Sequence, residues 1–257
     1  MERESKEMDV GSFSKPKQRS NSRYDASIVL CTVNEIENLP KLVKQIDEIV
    51  KFSFQYVFVD DGSTDGTREF IEDYTRMHSN AKFIFNPFLS STLIAEYRGM
   101  KNSEGRYLIK LDADLQHPPE IINEIYKKLS QGYEIVVASR FVRDGPRAKR
   151  NPARGLVSRV AESLAKSFLK GARRTSDPLS GYFGVNSKLK LEINEKWRGF
   201  KMLLFILSFN PKARTIDVPY RFQERVNGKS KIANGLDFIR IYLTELILAK
   251  KIEMNGH

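Results

Sequence analysis

One cysteine occurs in the 257 residues, and no strictly apolar run exceeds six. The lone thiol, Cys31, excludes any intramolecular disulfide and any cysteine-cluster metal site. It sits in an apolar run, where a buried inert thiol is the simpler reading. The longest apolar run, Met202 to Leu207, falls far short of the roughly 18 residues needed to cross a bilayer. No apolar signal-peptide core stands near the N-terminus, so the chain is expected to stay in the cytoplasm. Acid is in deficit, with 32 Asp and Glu against 43 Lys and Arg, a net charge of +11.

That imbalance is local. Between Arg140 and Arg174 lie eleven Lys and Arg, opposed only by Asp144 and Glu162. A basic stretch implies an anionic partner, which can be nucleic acid, anionic lipid or a phosphorylated substrate. A solvated basic face with no partner accounts for the charge equally well. Residues 1–24 are polar, rich in Ser, Lys, Arg and Glu, without periodicity, and read as a disordered tail.

From residue 25 onward, short apolar runs alternate with amphipathic segments. Ser27–Val33, Tyr56–Val59, Lys82–Phe85, Tyr107–Leu111 and Glu134–Ala138 read as strands. Between them, Leu39, Leu42, Val43, Ile46 and Ile49 follow helical spacing, as do Ile121, Ile122, Ile125 and Leu129. Thr92–Asn102 reads as a further helix. This alternation predicts an α/β domain with a mainly parallel sheet flanked by helices. In such sheets ligands bind at the carboxyl ends of the strands. The second half is less regular, with an apolar segment at Phe200–Phe209, a strand at Thr215–Phe222 and a final amphipathic helix from Leu236 to about Ile252.

Two acidic clusters stand directly after strands, which places them in one crevice. In Asp112-Ala113-Asp114-Leu115-Gln116-His117-Pro118-Pro119, two carboxylates flank one residue. They can converge on a hard divalent cation such as Mg²⁺ or Mn²⁺, with the Gln116 carbonyl as a further oxygen ligand. Such an ion would neutralise a departing diphosphate, although a plain surface turn also satisfies Asp-x-Asp. The second cluster, Asp60-Asp61-Gly62-Ser63-x-Asp65, is compatible with a capped strand-to-helix turn or with a carboxylate that accepts hydrogen bonds from a nucleobase and ribose. Glu35, after the first strand, suits either a ligand pocket or the first turn of a helix. His117 reads as structural.

Together these segments resemble the family-2 glycosyltransferases of GT-A fold, over about residues 27–231. The likeness is greatest to the polyprenyl-phosphate branch typified by dolichol-phosphate mannose synthases. The stretch from Asp112 to Pro119 matches that branch's signature along its whole length. Asp60-Asp61-Gly62-Ser63 and Thr67 resemble its donor-site motif, and Ser139-Arg140-Phe141 its Ser-Arg-Tyr segment. Asp177-Pro178-Leu179-Ser180-Gly181-Tyr182-Phe183 and Arg225-x-x-Gly228-x-Ser230-Lys231 resemble two further segments. The sequence departs from the pattern at Cys31 and Val33, where proline and tyrosine are usual, at Lys229 in place of an acid, and at Pro87–Ser91 in place of a glycine-containing loop.

The resemblance implies roles by position. Asp112, Asp114 and Gln116 would hold the metal. Asp61 would bind the base, with Cys31, Val33, Glu35, Val59 and Ala113 lining the donor pocket. Arg140, Arg154 and Ser158 would bind an acceptor phosphate, and Arg225 and Lys231 would approach the donor diphosphate. The catalytic set would be Asp114, Arg140 and Arg154. A phosphate monoester is already anionic near neutral pH, so it needs fixed cations to align it and no general base. The implied reaction is inverting hexosyl transfer, mannose from GDP-mannose, to a polyprenyl (dolichyl) phosphate. A relative using UDP-glucose, or a saccharide or protein hydroxyl, is the alternative. A nucleic-acid-binding reading explains the charge but leaves the two acidic clusters unexplained, and no nucleic-acid partner is expected. The final helix, with Lys250 and Lys251, suits a bilayer interface, the body of the domain or a small membrane subunit. The expected location is the cytoplasmic face of a membrane, held peripherally.

Overall fold

The structure, a computed structural model, describes residues 22–86, 91–142, 152–223 and 235–255, and the side chains of 152–157 and 235–236 fall outside the description. The elements in order are β1 (Tyr24–Thr32), α1 (Leu39–Ile49), β2 (Phe54–Asp60), α2 (Thr67–Met77), β3 (Ala81–Phe85), α3 (Thr92–Lys101) and β4 (Gly105–Asp112). There follow α4 (Ile121–Ser130), β5 (Ile135–Ser139), α5 (Pro152–Phe168), β6 (Phe183–Asn186), α6 (Met202–Phe209), β7 (Thr215–Pro219) and α7 (Gly235–Asn255). The sheet order is β3-β2-β1-β4-β6-β5-β7. Strands β1, β2, β3 and β4 pair in parallel, as do β5 and β7. Among the described residues only β6 runs antiparallel, to β4 on one side and β5 on the other. The mainly parallel sheet is as expected.

The central strands are apolar because both faces are covered. Val29, Val57 and Leu108 face a core built with α3 and α6, while Ile28, Leu30, Phe58, Ile109 and Leu111 face α1, α2 and α4. In α1, Leu39, Leu42, Val43 and Ile46 are buried, and Pro40 occupies the first turn, where a missing N–H breaks no helical bond. The apolar run at 202–207 is explained by α6, whose residues Met202 through Ser208 are all buried.

Strand β6 does not stand out in the sequence because four residues carry little periodicity. Its place is made possible by Gly184, where a Cβ would lie 2.2 Å from Ile125 Cγ2 of α4. Helix α7 lies against α6 and α5. Tyr242, Leu246 and Ala249 are buried, and the Tyr242 hydroxyl donates to the Ala161 carbonyl of α5. Among the described residues no helix is long and apolar enough to cross a membrane.

Candidate active site

The carboxyl ends of β1, β2 and β4 lie side by side. In register, Cys31 on β1 stands opposite Val59 on β2 and Asp112 on β4, and Thr32 opposite Asp60. Both acidic clusters therefore line one crevice, as the strand-end rule requires.

At β2 the two adjacent aspartates divide their work. Asp60 is fully buried and accepts from the Thr32 hydroxyl (3.0 Å), the Ser63 amide (2.9 Å) and the Ser63 hydroxyl. It holds the loop. Asp61 accepts from Asn86 Nδ2 at 3.2 Å, and Asn86 Oδ1 in turn accepts from Arg98 Nη1 at 2.5 Å. Glu35 accepts from Asn38 Nδ2 at 2.8 Å, and its amide donates to Thr67 Oγ1 at 2.8 Å. Cys31 is partly exposed, and burial with the nearby carboxylates raises its thiol pKa well above normal. Val33 is half-buried beside these groups. The Val59 side chain is fully buried and sits 3.0 Å from where a Gly99 Cβ would be, so only its backbone is placed to line the crevice.

At β4, Asp112 projects with a side chain 46% exposed, while Asp114 is nearly buried. Asp114 Oδ1 accepts from the Gln116 amide at 3.1 Å, and Leu115 between them takes φ 61°, which turns the loop back on itself. Ala113 is buried. Gln116 donates through Nε2 to the Gln223 carbonyl at 3.2 Å. His117 is buried against Tyr182, Tyr220 and Phe222. Its Nδ1 accepts from the Asp112 amide at 3.0 Å. Burial lowers its pKa to about 4, so the ring is neutral at physiological pH and acts as a structural support.

Beneath Asp112 lies a buried lysine that sequence reading passes over. Lys110 and Glu96 have side chains 3% exposed and form an ion pair of 2.7 Å. The same ammonium donates to Asp112 Oδ1 at 2.5 Å. Two carboxylates outweigh the desolvation of Lys110 and keep it charged. Desolvation alone would raise Asp112, but the Lys110 ammonium outweighs it and brings the carboxyl down to about 2. Asp112 is therefore ionised throughout the physiological range. Lys201, whose pKa is lowered by burial and by Arg140, feels the opposing fields of Glu245, Asp177 and Asp112.

The donor set Asp112, Asp114 and Gln116 consists of oxygens, with one carboxylate firmly ionised, and fits a hard divalent ion. Among the described residues no three His, Cys, Asp or Glu side chains converge as a cage. Remaining positions would fall to water and to substrate phosphate, the usual arrangement for Mg²⁺.

Arg140, just past β5, makes a two-pronged contact with Asp177. Nε and Nη2 donate to the two carboxylate oxygens at 2.7 and 2.8 Å, and Asp177 is fully buried. Ser158 is half-buried on α5. The side chain of Arg154, and Arg225 and Lys231 altogether, lie outside the described residues. Lys110, Glu96 and Asp177 were missed as site residues. Asp177 was visible as part of a motif, but the only signal for Lys110 was a charge two residues before Asp112 in an otherwise apolar strand.

Comparison with known proteins fits this geometry. The sequence model of glycosyl transferase family 2 matches residues 27–198. The dolichol-phosphate mannosyltransferase of Pyrococcus furiosus is 31% identical over 207 residues, covering 80% of this chain and 58% of that protein. This chain thus spans less than two thirds of that relative. The dolichol-phosphate mannosyltransferase of Saccharomyces cerevisiae is 29% identical over 200 residues, covering 75% and 73%. Among solved structures, glucosyl-3-phosphoglycerate synthase from Mycobacterium tuberculosis, in complex with Mn²⁺, UDP-glucose and phosphoglyceric acid, superimposes with a TM-score of 0.66. Identity there is 18%, with 89% of this chain and 80% of that one covered. The fold is GT-A.

Proposed function

The chain belongs to glycosyl transferase family 2, and from that premise we propose that it transfers a hexose, mannose from GDP-mannose, to a polyprenyl (dolichyl) phosphate with inversion at the anomeric carbon. The observation that carries this reading is the pair Asp112 and Asp114 at the end of β4, in the same crevice as Asp61. The activity named for the Pyrococcus and Saccharomyces relatives supports the choice of substrates.

Asp61 accepts hydrogen bonds from the nucleoside, with Cys31, Val33, Glu35, Val59 and Ala113 around it. Asp112, Asp114 and Gln116 would hold a divalent ion through oxygen atoms, which would supply positive charge against the negative charge left on the diphosphate. Arg140, fixed by Asp177, orients the acceptor phosphate together with Arg154 and Ser158. A guanidinium suits this task because it meets phosphate with paired N–H donors. The acceptor oxygen is anionic already, so no side chain has to take its proton. Arg225 and Lys231 approach the diphosphate from the other side.

We also place the enzyme peripherally at the cytoplasmic face of a membrane. Val160, Leu164 and Phe168 form an exposed apolar stripe on α5, and Ile239, Leu243 and Ile247 another on α7. Three of the four acids of these helices, Glu162, Glu245 and Glu253, are buried and Asp237 is exposed, whereas Arg159, Arg240 and Lys251 are all exposed. An outward face in which apolar and cationic groups outnumber acids suits an anionic leaflet.

Calorimetric titration with GDP, GDP-mannose, UDP and UDP-glucose, each with and without Mn²⁺, tests the donor. Metal-dependent binding of the guanine nucleotides is expected, followed by transfer to dolichyl phosphate. Binding of uracil nucleotides alone would favour the UDP-glucose reading, and binding of none would overturn the transferase reading.

A further inference from the structure

We propose that Lys110, anchored by Glu96, is a resident cation on Asp112 that opposes the binding of a bare divalent ion, so that metal enters the site together with the nucleotide. This rests on the reading of Asp112 as a ligand of the donor-bound ion. The geometry is a chain of three charges. Glu96 on α3 holds the ammonium at 2.7 Å, and the ammonium holds Asp112 Oδ1 at 2.5 Å. Lys110 and Asp112 are two apart on β4 and so share one face of the strand, which points both toward α3.

A lysine beside a metal ligand has a defined electrostatic effect. It takes up one acceptor direction of Oδ1, and its positive charge is in direct contact with Asp112 while the compensating charge of Glu96 reaches Asp112 through the ammonium. Both effects disfavour a dication that brings no anion with it. A diphosphate brings negative charge into the same crevice and offsets the ammonium, so metal and nucleotide are coupled. Lys110 cannot simply turn away. Burial leaves it no water, and a buried ammonium needs its carboxylates. Glu96 keeps a partner for it when Asp112 turns to the metal. Lys110 is thus a positioning residue, acting through Asp112 and touching no substrate.

The test replaces both members of the buried pair, since removing one leaves the other uncompensated. The full chain and Lys110→Met/Glu96→Met are titrated with Mn²⁺ alone, free ion being read by electron paramagnetic resonance, and then with Mn²⁺ and GDP or UDP. The double variant should bind Mn²⁺ alone about tenfold more tightly than wild type, within the range typical of coupled sites. A damaged fold weakens metal binding and does not mimic a gain. Unchanged or weaker Mn²⁺ binding by a folded double variant overturns the proposal. Should that variant not fold, Lys110→Gln/Glu96→Gln, which keeps hydrogen-bonding groups in the buried site, is titrated in the same way. About tenfold tighter Mn²⁺ binding than wild type without nucleotide supports the proposal, and unchanged or weaker binding overturns it. Absence of Mn²⁺ uptake with either nucleotide overturns the transferase reading as well, which separates the two failures.

Discussion

Asp112 and Asp114 differ in how they can fail. Asp114 is nearly buried and shapes its own loop through the Gln116 amide, whereas Asp112 is half-exposed and tied to Lys110. Asp112→Asn keeps the shape and removes the charge. It should lower transfer to dolichyl phosphate by about 100-fold or more, the scale of losing one charge-stabilising group, and lower the melting temperature as well, since the buried Lys110 keeps only Glu96 as a carboxylate partner. A radiolabelled sugar-transfer assay checks this, and near-normal turnover would remove Asp112 from the site. Arg140 needs a gentler change. Arg140→Ala strands the buried Asp177 carboxylate at a cost of about 3–5 kcal/mol, so lost activity there would be uninformative. Arg140→Lys retains the charge and loses the paired contact. We expect the KM for dolichyl phosphate to rise about tenfold while GDP-mannose affinity holds within about twofold, a loss near 1.4 kcal/mol. Equal weakening of both would move Arg140 out of the acceptor site. The acid pairs were legible in the sequence because each follows a strand within a compact motif. That Asp60 turns inward while Asp61 meets Asn86 was not, since neighbours in sequence differ here by pleat, by the Ser63 contact of Asp60, and by partners 25 or more residues away.

At the scale of elements, α7 carries a carboxylate to the start of α6. Glu245 Oε1 accepts the amides of Phe200 and Lys201 at 2.7 and 2.8 Å, so it satisfies donors that a helix start leaves unpaired. The fit is close, because a Cβ on Gly199 would stand 2.3 Å from that oxygen. Burial raises the Glu245 pKa from 4.5 to about 7, against the pull of the two amides and Lys201. The sign follows from proton counting. Between pH 4.5 and about 7 the folded chain holds this proton and the unfolded chain has released it. Stability from this group is therefore complete below about pH 4.5 and declines as pH rises through about 7, by on the order of 3 kcal/mol. Glu245→Gln keeps an oxygen for the amides and removes the charge. Thermal unfolding from pH 5 to 8 should show a decline in wild type that the variant lacks. Parallel curves would mean that Glu245 is ionised without penalty. Nothing in the sequence announces this contact. Helix α7 shows its three-and-four spacing, but spacing does not say which neighbour receives Glu245.

At the scale of the molecule, most of the acid on α5 and α7 is turned inward and their cations outward. The excess of basic residues between Arg140 and Arg174 is visible in the sequence, but not that the acid within α5 turns inward while Arg159 stays outside. The same sorting on α7 leaves Ile239, Leu243 and Ile247 exposed beside Arg240. Periodicity alone cannot separate the two faces, since Tyr242, Leu246 and Ala249 make an equally regular stripe and it is this one that packs against the domain. An apolar face left open beside cations should bind vesicles containing phosphatidylserine and release them as salt rises, because the electrostatic part is screened while the apolar part is not. Leu164→Asp with Leu243→Asp places two charges on the two stripes without touching the crevice. Flotation with such vesicles should fall about tenfold or more for the double variant, since each buried apolar side chain contributes roughly 1.5–3 kcal/mol. Metal-dependent nucleotide binding should stay at wild-type level. Transfer to a short, water-soluble polyprenyl phosphate should also persist, because only delivery of the long-chain lipid depends on the bilayer. Undiminished flotation would mean that these stripes face something other than lipid. Loss of nucleotide binding together with flotation would mean that the two helices support the crevice from below and do no more.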